Sequence, residues 1–188
     1  DDSSIYEIFN RLNTGGVNLK PQEIRTSLYQ SDFYDMLYQI NLDARWRKLL
    51  GVPDPDINMK DIEILLRGFS MLLDSDDYKP SMLRFLNVFS KRCKNLPQEK
   101  IDYFRKLFIS FLESCAGLSA NAFFGRRDRF NISVYESVFR AVCLHPAENN
   151  ALVTTRINTG KLNLLKENQG FIDATQSSTT STSNVRTR

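Results

Sequence analysis

The sequence predicts an all-α protein, a multi-helix orthogonal bundle, on three observations. Apolar residues recur at helical spacing in one segment after another, as in Ile62, Leu65, Leu66, Phe69, Leu72 and Leu73. Serine, asparagine or proline stands where such segments would begin, and glycine or proline where several would end. No run alternates convincingly at period two, and no Asn-Gly or Asp-Gly pair marks a hairpin.

The elements follow in order. Ser4 and Glu7 form a capping box ahead of Ile5, Ile8, Phe9 and Leu12. Thr14-Gly15-Gly16 ends that helix, because glycine accepts the left-handed conformation of a helix terminus. Pro21 suits the first turn of the next, with Gln22 and Glu23 at its positive end and Ile24, Leu28 and Tyr29 as its apolar side. Ser31 caps a third helix with Phe33, Met36, Leu37 and Ile40. Asp43 to Leu50 is a short amphipathic piece holding the only tryptophan, Trp46, and Gly51 closes it. Val52 to Asp56 is a loop by its prolines, and Asn58 caps the strong helix that begins with Ile62.

Pro80 opens a helix with Met82, Leu83, Phe85, Leu86 and Phe89, and Pro97 opens another running from Ile101 to Leu112. Gly117 to Arg129 is irregular and basic. Asn131 caps a helix with Val134, Val138, Phe139 and Val142, and Asn149 to Lys166 holds one or two more, broken near Gly160. These signals give about eight to ten helices. Residues 1–174 read as one helical domain, and 175–188 as a polar Ser/Thr-rich tail leading into a truncated segment.

Composition sets the limits. Hydrophobic residues make up 41% of the 188 and charged residues 25%, so a packed core is expected, built largely on the thirteen phenylalanines and seven tyrosines. Twenty-five Lys+Arg against 22 Asp+Glu leave a net charge of +3, too close to neutral to argue nucleic-acid binding from bulk electrostatics. Cys93, Cys115 and Cys143 each lie in an apolar helical pattern and read as buried free thiols of a reducing compartment. The opening Asp1-Asp2-Ser3-Ser4 is no signal peptide, and no apolar run approaches the roughly 18 residues of a membrane span. The expectation is a cytoplasmic protein with no membrane partner. The absent initiator methionine and abrupt helical start read as a piece of something longer.

Chemistry concentrates at the first turn. A diglycine turn with a helix start behind it exposes backbone N–H groups, and an anion can sit there. Arg11 and Arg25 flank it as bidentate phosphate donors, and Asn13 can donate to a phosphate or base edge. The plainer alternative has Gly15 and Gly16 merely ending a helix, Asn13 bonded to local backbone, and Arg25 paired with Glu7 or Glu23. Phe9 and Leu19 belong to apolar faces and read as packing residues. Arg126, Arg127 and Arg129 are candidates for DNA-backbone contact, or else a solvated loop whose charge Asp128 partly offsets. His145, the single histidine, cannot supply the ligand set of a metal nuclease and suits a helix end. Asp74-Ser75-Asp76-Asp77 lacks the glycine and distal glutamate of a calcium loop and reads as a polar connection. No metal site and no catalytic residue is assigned.

Phe9, Asn13 and Leu19 match a Phe-x3-Asn-x5-Leu pattern, surrounded by Arg11-Leu12-Asn13-Thr14-Gly15-Gly16 and Gln22-Glu23-Ile24-Arg25. In this the chain resembles the helical part of the GmrSD-type restriction endonuclease amino-terminal domain, a family related to ParB and sulfiredoxin folds. Met59 to Arg67, Ser119 to Phe124 and Phe171 to Asn184 resemble its later landmarks. The family's other motif, Asp-Gly-Gln-Gln-Arg in an α/β subdomain, does not occur here. The resemblance implies the helical subdomain of a larger α/β-plus-helical protein that senses or cuts foreign DNA with nucleotide dependence. The implied partners are the amino-terminal α/β subdomain and, through the larger protein, DNA, with homo-oligomerisation open. No cofactor is expected for this part alone; a nucleoside triphosphate and a divalent metal belong to the whole, an NTP-dependent DNA endonuclease. The alternative is a purely structural or protein-interaction helical module with no ligand of its own.

Overall fold

The computed structural model describes residues 8, 19–125, 128–176 and 179–187. Among them stand ten α-helices and no strand: α1 (Pro21–Tyr29), α2 (Asp32–Asn41), α3 (Ala44–Leu50), α4 (Lys60–Asp74), α5 (Met82–Cys93), α6 (Gln98–Ser114), α7 (Ile132–Glu148), α8 (Thr159–Glu167), α9 (Gln169–Gln176) and α10 (Thr182–Thr187). A 3-10 turn, Ser75–Asp77, joins α4 to the segment before α5. The fold is an all-α multi-helix bundle.

Helix α4 is its axis, packing on α1, α2, α5 and, most extensively, α7. The reason is its sequence. Ile62, Leu65, Leu66, Phe69 and Leu72 are all buried, and Gly68 lets α7 approach so closely that the Tyr135 ring covers it. Around Phe69 the rings of Phe33, Phe104, Phe108 and Phe139 lie 5.5–5.9 Å away by centroid. Trp46 of α3 adds contacts at 5.5 Å to Phe108 and 5.1 Å to Tyr135. Edge and tilted geometries dominate, each such pair adding about 0.5–1.5 kcal/mol beyond the area it buries. The aromatic composition thus forms one continuous core.

Several helix ends are as the sequence places them. Pro21 occupies the first turn of α1, and the Glu23 carboxylate accepts from the Lys20 N–H. Ser31 holds the N-cap position of α2 although its hydroxyl makes no capping hydrogen bond, Gly51 ends α3 with a left-handed φ of 73°, and Asn131 Oδ1 accepts from Ser133 and Val134 N–H. Others differ. Asn58 does not cap α4: Met59 occupies that position, and the Asp56 carboxylate accepts from Asn58 and Lys60 N–H at 2.9 and 3.2 Å. The acceptor reaches in from the proline loop instead of from the adjacent residue. The helix after Pro80 begins at Met82, capped by Ser81.

Gly160 breaks nothing. It lies in the first turn of α8, where Asn158 accepts from Lys161 N–H, and the break falls at Asn168, whose Oδ1 accepts from Phe171 N–H. The polar tail is also more ordered than its composition suggests. Thr182–Thr187 is helical and packs on α9, Val185 reaches the core, and Tyr78 donates to the Thr180 carbonyl at 2.5 Å.

Candidate functional site

Helix α1 carries the described end of the motif. Arg11, Asn13, Gly15, Gly16 and Phe9 lie outside the described residues, as do Glu7 and the capping box at Ser4. Leu19, half-buried, and Arg25 lie within them. Arg25 is 1% exposed. Its Nε donates to Asn87 Oδ1 of α5 at 3.0 Å, and Nη1 donates to Gln22 Oε1 and, at 3.4 Å, to Glu63 Oε2 of α4. Among the described residues the carboxylate it meets is Glu63. Glu23, the local candidate, is spent on the Lys20 N–H.

The cluster around Arg25 is polar and enclosed. Gln22 Nε2 donates to Thr26 Oγ1 at 3.3 Å, and Tyr34 of α2 shares a 2.9 Å hydrogen bond with Ser90 of α5. Burial pushes the Tyr34 hydroxyl up to about 12, against the pull of Ser90, Arg25 and Gln22. Four helices thus meet on hydrogen-bonded groups instead of side-chain hydrocarbon, an arrangement that fixes which residues face one another. What the guanidinium does here is lock α1 onto α4 and α5.

A second buried cluster organises the proline loop. Asp61 Oδ2 accepts from Asn41 Nδ2 and Arg47 Nη1, each at 2.8 Å, and from Asp56 N–H at 2.9 Å, while Oδ1 accepts from Ile62 N–H. Arg47 also donates to the carbonyls of Val52 and Asp54, and Trp46 Nε1 to Asn41 Oδ1. Every arm holds a neighbouring element, so the chemistry is structural.

The basic loop is anchored at its base. Phe124 and Phe130 form an antiparallel bridge, Asn131 N–H donates to the Phe123 carbonyl, and Gly125 N–H to that of Arg129. Arg129 and Asp128 are exposed at the tip; Arg126 and Arg127 lie outside the described residues. His145 sits in the last turns of α7, its Nδ1 3.2 Å from Asn149 Nδ2.

The partners Asn87 and Glu63 carried no signal in the sequence, since they stand 62 and 38 residues from Arg25. Gln22 did, three residues away on the same face of α1. No described helix is long and apolar enough to cross a membrane. Compared with family models, with curated proteins and with solved structures, the chain matches none of them.

Proposed function

We infer that this chain is the helical part of a GmrSD-like, nucleotide-dependent, DNA-targeting protein of restriction type, cytoplasmic, whose first turn completes a nucleotide or DNA site built mainly by an α/β subdomain. The observation that carries this reading is the sequence motif from Phe9 to Arg25, whose last residues lie in α1, a helix that the buried Arg25 fastens to the bundle. In this reading Arg11 and Asn13 meet the ligand, Gly15 and Gly16 present backbone N–H groups, and Arg25 fixes the helix that carries them. A nucleoside triphosphate with a divalent metal would bind the whole protein, and the basic tip at Arg126, Arg127 and Arg129 would lie along a DNA backbone. Such a contact is independent of sequence and sensitive to salt.

The second reading, a structural module without a ligand, is favoured by one observation: the Arg25 guanidinium is 1% exposed and engaged by Asn87, Gln22 and Glu63 of the bundle. Calorimetry separates the two. Magnesium ATP and GTP are titrated into the full-length protein and its Arg11→Ala, Asn13→Ala and Arg25→Ala variants. The proposed site requires lost affinity with unchanged melting temperature for the first two, and a lowered melting temperature for the third. Unchanged affinity in Arg11→Ala and Asn13→Ala leaves the structural module.

A further inference from the structure

On the side of the bundle formed by α3 and the carboxyl-terminal end of α6 lies an open groove of about 550 Å³, within the size range of small-molecule sites. Its wall is apolar, from Leu49, Leu112 and Leu118. Its charge is one-sided. Arg45, Lys48 and Arg156 line it against one carboxylate, Glu113. Arg45 is already engaged, bidentate with Asp43 at 3.0 and 2.6 Å and 3.8 Å from Glu113. Lys48 and Arg156 are exposed, and no described side chain neutralises either.

Arg156 is not on a loose loop. The extended segment before α8 is pinned along α6 at three points. Tyr103 donates to the Ala151 carbonyl at 3.0 Å, Val153 N–H donates to Ser110 Oγ at 3.1 Å, and Ile157 N–H to the Ser114 carbonyl at 2.9 Å. The last bond fixes the backbone next to Arg156. Lys48 lies on α3, whose Trp46 is fully buried in the core. Two cations without carboxylate partners are thus held by ordered backbone beside an apolar wall. Gly117 adjoins the wall with a left-handed φ of 98°, and nothing lies within 4 Å of where its Cβ would be, so the mouth stays open.

We propose that this groove binds a small anionic amphiphile, its apolar body against Leu49, Leu112 and Leu118 and its phosphate or carboxylate between Lys48 and Arg156. The apolar wall rewards burial of the body, and partial enclosure strengthens the charge contacts over those of a fully solvated pair. Neither half suffices alone: exposed ion pairs contribute little, and an apolar chain has no reason to choose this groove over another.

The test is calorimetry on the full chain with four probes: octyl phosphate below its micelle concentration, octanoate, octanol and inorganic phosphate. Octyl phosphate or octanoate binds with one-to-one stoichiometry, and octanol and phosphate bind at least about ten-fold more weakly. The stronger of the two acids identifies the headgroup. Lys48→Gln with Arg156→Gln lowers that affinity about ten-fold or more, with melting temperature and Trp46 emission unchanged. Lys106→Gln, an exposed cation on α6 outside the groove, leaves it unaltered. The proposal fails if octanol binds as tightly as the acids, if the paired variant binds like the parent, or if none of the four probes binds.

Discussion

Arg67 Nε sits 2.5 Å from Glu136 Oε1, joining α4 to α7 with side chains only 11% and 3% exposed. The two residues are 69 positions apart, so the pair forms only when these helices dock. Burial pushes the Arg67 guanidinium down, but the Glu136 carboxylate, with Glu63 behind it, outweighs that and raises it above its ordinary value. A buried pair contributes modestly as a whole, but removing one partner strands the other charge. Glu136→Gln is therefore expected to destabilise by about 3–5 kcal/mol in urea titration, whereas Arg67→Met with Glu136→Leu recovers most of that loss. Equal losses in the single and paired variants would contradict this account.

Asp61 gives the acid side of the stability profile. Burial raises its affinity for a proton, but hydrogen bonds from Asn41, the Asp56 N–H, Arg47 and the Ile62 N–H prevail and hold it below 3.8. A depressed carboxyl stabilises the fold fully where the unfolded chain is ionised, above about pH 5, and loses that contribution as pH falls through the folded value. The gap in melting temperature between the parent and Asp61→Asn should therefore be widest near pH 7 and close progressively below about pH 4. A gap constant from pH 7 to 3 would mean that Asp61 acts through shape and not through charge.

Local grammar was legible in the sequence, and long-range polar partnership was not. Asn131, Gly51 and Pro21 announce helix ends because their effect is exerted within three residues. The apolar spacing of α4, α6 and α7 likewise marks core faces, since burial follows the helical period. By contrast, Asn41 finds Asp61 20 residues on, and Arg67 finds Glu136 69 residues on. Arg25 has Glu23 two residues behind it in the sequence, yet the described carboxylate it meets is Glu63 of α4, on which α1 docks. Such choices follow from helix packing, which spacing alone does not encode.

Gly68 and Tyr135 face one another where α4 and α7 pack closely. A Cβ on Gly68 would lie 2.9 Å from Tyr135 ring carbons and nearer still to its hydroxyl. That hydroxyl is buried without a hydrogen-bond partner among the described residues. Two opposite outcomes follow. Gly68→Ala overpacks the interface and should cost about 1–3 kcal/mol despite the better helix propensity of alanine. Tyr135→Phe removes an unsatisfied oxygen and should be neutral or stabilising, and it should relieve part of the Gly68→Ala defect when the two are combined. Thermal unfolding of the four proteins reads this directly. A large loss in Tyr135→Phe would reveal a hydrogen bond at that hydroxyl.

Buried thiols begin the alkaline limit, and the buried Tyr34 and Tyr135 hydroxyls extend it at higher pH. Burial pushes Cys93 and Cys115 up to about 12 and raises Cys143 as well, from an ordinary value of 9.0. An acid whose folded pKa is raised stabilises the fold below its unfolded pKa. That contribution is lost as pH rises from the unfolded value through the folded one. At pH 10 each thiol would then cost on the order of 1 kcal/mol, because the unfolded chain ionises and the folded chain resists it. Unfolding free energy should fall steeply above pH 9, and replacing the three cysteines by alanine should flatten that limb while lowering stability at neutral pH through the cavities left behind. In the native protein at pH 8 Cys93 and Cys143, away from the groove that Cys115 lines, should react with Ellman's reagent only at the rate of unfolding, and at once in denaturant. Rapid native labelling of either would place that thiol at the surface and sink the argument for its share of the alkaline limb.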